Sequence, residues 1–172
     1  EFVSNKDGSI LINDEENICI MIGEEDHLRI QVFNYGLDLE NTLNLAIELD
    51  EKINETLGYA ISKKYGYLTA CPTNVGTGLR ASVMLHLPAL EHTGNVRNIL
   101  NSVSNFGISI RGIYGENSKS TGDMYQISNR QTLGITEKEI IDRVKVIAEK
   151  IMEQERKARK MLADNKIEFE DM

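Results

Sequence analysis

The sequence predicts an α+β domain: a mainly antiparallel β-sheet with helices packed on one face. Two observations carry that expectation. Apolar runs of strand length outnumber the helical patterns and are joined in part by tight polar turns. Three stretches instead repeat their apolar residues at helical spacing, and the last of them is long and capped. At 172 residues, with 41% hydrophobic and 27% charged side chains, the chain has the size and composition of one globular domain with a sizeable core.

Residues 9–13 and 17–23 read as strands around the turn Asp14-Glu15-Glu16. The second, Ile18-Cys19-Ile20-Met21-Ile22, is apolar throughout, which marks a central strand with Cys19 as a small buried hydrophobe. Residues 28–33 form a further strand that leaves through Asn34-Tyr35-Gly36. Apolar residues at 39, 43, 46, 47, 53 and 57 line one helix face, with Asp38 as its cap and Gly58 as its stop. After a polar stretch, residues 81–87 alternate as a strand. Val96, Ile99, Leu100 and Val103 mark a second helix ending near Gly107, and residues 108–111 return as a strand. Residues 115–123 are polar, bounded by glycines, and read as a mobile loop before a strand over 124–128. Thr136 and Glu139 form a capping box for a long helix to about Met161, whose apolar residues fall at 140, 141, 144, 147, 148, 151 and 152. Lys157, Arg159 and Lys160 sit where they would favour the C-terminal dipole. The domain is expected over residues 8–163, after a leader or remnant at 1–7 and before an exposed acidic tail at 164–172.

Composition excludes several classes. A net charge of −8 argues against a general nucleic-acid binder, whose footprint is basic. Two cysteines far apart give neither a disulfide framework nor a CxxC metal pair. His86 and His92 have no metal-ligand spacing, so no metal site is expected from protein side chains. No apolar run approaches the roughly 20 residues that span a bilayer. The chain begins Glu1-Phe2-Val3-Ser4, without an initiating methionine or signal peptide, and a cytoplasmic protein cut from something longer is the simplest expectation.

The most informative stretch is Cys71-Pro72-Thr73-Asn74-Val75-Gly76-Thr77-Gly78-Leu79-Arg80-Ala81-Ser82. Pro72 fixes its own φ and pushes Cys71 toward extended backbone, while Gly76 and Gly78 permit positive φ or close approach. A rigid turn thus sets a thiol on one side and a guanidinium on the other. Taken alone, it also fits a structural loop between strands.

With Gly23-Glu24-Glu25-Asp26-His27-Leu28-Arg29-Ile30, Arg111-Gly112-Ile113-Tyr114-Gly115-Glu116 and Ile127-Ser128-Asn129, this stretch resembles the signature of the ATP:guanido phosphotransferases. That family comprises phosphagen kinases and bacterial protein arginine kinases. The resemblance covers roughly residues 8 to 160 and is nearest to the protein arginine kinase branch of the heat-shock response. It implies the antiparallel α+β catalytic domain, and ATP with Mg²⁺ bridging its phosphates. It implies nucleotide contacts from Arg29, Arg80, Ala81, Ser82, Val83, Met84, Arg111, Gly112, Ile113, Tyr114 and Gly115. Guanidinium groups grip phosphate oxygens in pairs and never lose their charge. Glu25 and Glu116 take the family's positions for aligning the acceptor guanidine, one of them accepting its proton. Glu24 and Asp26 are expected to point away from Glu25 by strand alternation. Cys71 matches the cysteine that touches the substrate guanidinium, either as a thiolate or as a neutral, packed thiol. His27 is expected to support its turn.

Two features depart from the metabolic phosphagen kinases: Met84 stands where they carry a histidine, and Gln126 replaces an aspartate before Ile127-Ser128-Asn129. Both point toward the protein kinase branch. The family's N-terminal helical domain and its early Arg-x-Arg pair do not occur in this sequence, so the chain resembles the middle of the enzyme and is expected to fold but turn over weakly alone. Three functions remain open: a protein arginine kinase, a small-molecule phosphagen kinase, and a nucleotide-binding or interaction module without activity. The first implies arginine-bearing protein substrates such as a heat-shock repressor, with an activator protein and a homodimeric state as further expectations, and no nucleic-acid or membrane partner.

Overall fold

A computed structural model describes residues 2–4, 8–104, 106–112 and 122–164. The chain forms two compact units, residues 1–79 with 132–138 and residues 80–131 with 139–172. The antiparallel α+β expectation holds. Among the described residues the strands group into three ladders, of four, two and three strands, rather than one continuous sheet.

In the first unit, β1 (Phe2–Ser4), β2 (Ser9–Ile12), β3 (Ile18–Glu24) and β4 (His27–Val32) pair antiparallel in sequence order. Phe2–Ser4 was expected to precede the domain; instead it pairs with Ser9–Leu11 as an added edge strand. β3 lies inside the ladder as expected, but Cys19 is only half-buried, and no residue of β2 or β4 is fully buried. Helix α1 (Leu39–Leu57) packs on β4. Asp38 caps it, accepting the Asn41 N–H at 3.4 Å and the Asn41 amide at 2.9 Å. Gly58, at φ 65°, ends it by donating to the Asn54 carbonyl at 2.8 Å. Of its apolar face only Leu43 is buried, while Ile47 and Leu57 stay exposed. The hairpin β5 (Ile61–Ser62) and β6 (Gly66–Tyr67) leads into the Cys71 stretch.

In the second unit, β7 (Ser82–His86), β8 (Ile108–Gly112) and β9 (Met124–Asn129) pair in the order β7-β9-β8. Two helices join β7 to β8. Sequence patterning found α3 (Val96–Ser104) but not α2 (Pro88–His92), whose five residues are too few to show a period. Helix α4 (Glu137–Asp164) starts one residue after Thr136. It buries Ile140, Ile141, Val144, Ile147, Ala148 and Ile151, with Met152 half-buried. Buried Ala158 and Leu162 carry it beyond Met161. The last turn therefore holds no basic residue: Lys157 and Arg159 bind Glu153 and Glu155 one turn back, at 2.6 Å each, instead of capping a terminus. No helix among the described residues is long and apolar enough to cross a membrane.

Candidate active site

Glu25 and Asp26 form the two-residue tip between β3 and β4, closed by the pair Glu24–His27, with a register shift at Gly23 (φ 86°). The expected strand alternation ends there, so Asp26 does not simply point away. Asp26 and His27 both have φ 69°, and the Leu28 N–H reaches back to the Asp26 carbonyl at 2.8 Å. Two consecutive side-chain-bearing residues in left-handed backbone are strained, at roughly 1–3 kcal/mol each. His27 thus lies at the centre of the three-residue turn, and its ring is exposed.

The Asp26 carboxylate anchors that turn. Its Oδ1 accepts the Cys71 N–H at 2.8 Å, and its Oδ2 accepts the Asn74 side-chain amide. Partial burial pushes its carboxyl up, but hydrogen bonds from Cys71, Asn74 and the Ala70 N–H, with His27 nearby, outweigh this and hold it below the ordinary value. The Cys71 carbonyl accepts from Thr69 Oγ1 at 2.6 Å and from the Asn74 N–H at 3.0 Å, and Cys71 Sγ lies 3.0 Å from Thr73 Oγ1. Glu25, at the tip, is exposed, and Cys71 is half-buried.

The loop after Cys71 is braced twice more. Tyr67 and Gly76 exchange backbone hydrogen bonds at 2.8 and 3.2 Å. The Tyr67 hydroxyl donates to the Asp50 carboxylate of α1; burial first, and then that carboxylate, raise its pKa far above the ordinary phenol value. Thr132 Oγ1 donates to the carbonyls of Thr73 (2.9 Å) and Val75 (2.8 Å), and its own carbonyl accepts the Thr77 N–H at 2.9 Å. Only glycine fits at 76: φ is 114°, and a Cβ would stand 2.2 Å from the Thr132 carbonyl oxygen.

Arg29 projects from β4 opposite Met21 and is exposed.

In the second unit, the register places Met84, Gln126 and Arg111 in one row across β7-β9-β8, and Ser82, Ser128 and Ser109 in the next row. Residues two apart share a face, so both rows lie on one polar side of the sheet. Leu85, Tyr125, Ile127 and Ile108, all buried, occupy the intervening positions. Arg80 Nη2 donates to Ser128 Oγ at 3.1 Å, which brings a second guanidinium to the face that carries Arg111. Asn129 fixes the approach: its Oδ1 accepts the Ala81 N–H at 2.8 Å, and its N–H reaches the Ala81 carbonyl at 3.3 Å. Ala81 is buried, Val83 half-buried and Met84 exposed, and Gly112 pairs with Tyr125.

The structure therefore brings Glu25 and Cys71 together through Asp26, and Arg80 and Arg111 together through β9. Glu116, Ile113, Tyr114 and Gly115, with residues 115–121 of the expected mobile loop, lie outside the described residues. Sequence reasoning missed Asp26, Asn74 and Thr132 as braces and the buried Ser128 as the partner of Arg80. The visible signals were an aspartate at a hairpin tip and the Ile127-Ser128-Asn129 block. A face with two guanidinium groups and hydroxyls suits phosphate oxygens. A carboxylate and a thiol on a braced turn suit a cationic, planar acceptor.

The chain's similarities agree with this chemistry. A family model described as ATP:guanido phosphotransferase, C-terminal catalytic domain, matches residues 2–158. A protein-arginine kinase of Halothermothrix orenii is 56% identical over 163 residues, 94% of this chain and 47% of that protein. One from Caldanaerobacter subterraneus is 53% identical over 167 residues, 96% and 50% respectively. The duplicated taurocyamine kinase of Schistosoma mansoni, solved with bound transition-state analog components, superposes with a TM-score of 0.76 at 33% identity, covering 87% of this chain and 20% of that one. The chain spans about half the length of these curated relatives. The chain belongs to the ATP:guanido phosphotransferase family, within its C-terminal catalytic domain.

Proposed function

We propose that the chain is the catalytic domain of a protein-arginine kinase, which moves the γ-phosphoryl group of ATP to arginine guanidinium groups in proteins. The observation that carries this reading is identity of 56% and 53% to protein-arginine kinases along nearly the whole chain. The guanidinium-bearing face of β7-β9-β8 and the braced turn that carries Glu25 and Cys71 support it.

In the proposed reaction, a guanidine nitrogen attacks the γ-phosphorus as the bond to the β–γ bridging oxygen breaks. The electron pair leaves with ADP, and the guanidine proton passes to a carboxylate. Little covalent help is required; positioning and positive charge supply most of the catalysis. Arg29, Arg80 and Arg111 would hold phosphate oxygens, with Ala81, Ser82, Val83, Met84 and the backbone of Gly112, Ile113, Tyr114 and Gly115 beside the nucleotide. Glu25 and Glu116 would align the acceptor by paired hydrogen bonds, one of them taking the proton, and Cys71 would contact its charge. Mg²⁺ would be carried on the ATP phosphates that Arg29, Arg80 and Arg111 would hold, and would neutralise charge there. Arginine-bearing proteins, a heat-shock repressor among them, would be the substrates. A cytoplasmic setting, an activator protein and a homodimeric state complete the reading.

The test gives the full-length protein ATP with either an arginine-rich protein or free arginine, and follows acid-labile phosphoarginine. Label on protein alone is expected. Label on free arginine alone would make it a small-molecule phosphagen kinase. Nucleotide binding without transfer would make it a binding module.

A further inference from the structure

We propose that Asp26 is a positioning residue for the acceptor guanidine, locking the Glu25 turn to the Cys71 backbone so that carboxylate and thiol keep one spacing. The kinetic consequence rests on the phosphotransfer reading; the geometry does not. Three observations converge on it. Asp26 sits in left-handed backbone next to His27, a doubly strained tip that needs outside support to persist. That support comes from 45 and 48 residues away, the Cys71 N–H and the Asn74 amide. Both oxygens of the carboxylate are used on the segment that carries the thiol, so the side chain makes a two-point clamp rather than a single tether. Glu25 precedes the clamp by one residue and Cys71 is its direct donor, so rotation of either segment would change their separation. Asp26 itself touches no reacting atom.

The two proposed contacts of the acceptor would then be set by one carboxylate, while the phosphate face of β7-β9-β8 would not depend on it. Asp26→Ala in the full-length protein should therefore lower kcat for the guanidine acceptor about 10- to 100-fold, the size expected for lost hydrogen bonds to a charged acceptor. KM for ATP should stay within about twofold. Alkylation of Cys71 by iodoacetamide, located by mass spectrometry, should speed up, since the thiol loses its fixed backbone and a nearby negative charge. Asp26→Asn should recover most of the lost rate: its carbonyl oxygen still accepts from Cys71, and Asn74 can turn its amide to match. A parallel rise in KM for ATP, an unchanged alkylation rate, or an asparagine variant no better than alanine would overturn the proposal. Should Asp26→Ala fail to fold, Asn74→Ala must show the same kinetic split at smaller amplitude, and its absence has the same force. Wild-type protein that transfers no phosphate would sink the functional reading alone, because alkylation of Cys71 still reports on the clamp.

Discussion

Glu155 offers the sharpest test of what holds the second unit together. It is 4% exposed on α4, and its carboxylate accepts the N–H groups of Ala89 at 3.1 Å and Leu90 at 2.9 Å. These are first-turn donors of α2, a five-residue helix opened by Pro88 and given no side-chain cap of its own. Arg159 Nε also binds Glu155 Oε1, at 2.6 Å, but its side chain is 47% exposed. Glu155→Ala leaves two buried donors without an acceptor, each costing about 1–3 kcal/mol, while loss of the solvated Arg159 contact adds under about 1 kcal/mol. We expect a total of about 3–5 kcal/mol, and a melting temperature lower by roughly 10 °C for a chain of this length. Arg159→Ala should cost less than about 1 kcal/mol. Equilibrium urea unfolding followed by circular dichroism measures both. A Glu155→Ala loss under about 1 kcal/mol, or one matched by Arg159→Ala, would refute the view that the backbone of α2 is what this carboxylate serves.

Arg80→Lys should cut phosphoryl transfer at least tenfold although the charge is kept, because a lysine cannot hold Ser128 and fork across phosphate oxygens as well; unchanged ATP affinity and turnover would remove Arg80 from phosphate binding. Gly76→Ala should destabilise by more than about 2 kcal/mol, since its Cβ meets the Thr132 carbonyl in a backbone conformation alanine resists, and a urea midpoint equal to wild type would contradict this. The stability gap between wild type and Asp26→Ala should depend on pH. The folded carboxyl is held below 3.8, so its contribution is full above that value and fades as pH falls through the lower folded one. Urea midpoints at pH 6 and pH 3 check the sign, and a gap that widens in acid would be incompatible with it.

Much of this was legible in the sequence where the physics is local. α1 ran from Leu39 to Leu57 as its cap, period and stop dictate, and the apolar residues of α4 found the core almost one for one. The motif blocks singled out Arg80, Arg111 and Cys71 as candidates without geometry. What escaped was non-local. Asp26 looked like a strand residue facing away, but a two-residue tip replaces alternation with turn geometry, and its partners at Cys71 and Asn74 become visible only once the chain has folded back. Thr132 carried no signal, being one polar residue in a connecting segment. Met84 and Gln126, noted separately as departures from the metabolic kinases, prove to be register partners across β7 and β9, with Arg111 on the far side of Gln126.

The Thr132 brace also bears on how the chain is made. The carbonyls it holds belong to Thr73 and Val75, 59 and 57 positions earlier, and residues 80–131 of the other unit are synthesised in between. At a translation speed of about 5–20 residues per second, the Cys71 loop waits roughly 3–12 s on the ribosome before its brace is even polymerised. During that interval the contacts of Asp26 with Cys71 and Asn74, and of Tyr67 with Gly76, are the ones whose residues are already synthesised and can keep the thiol segment in place.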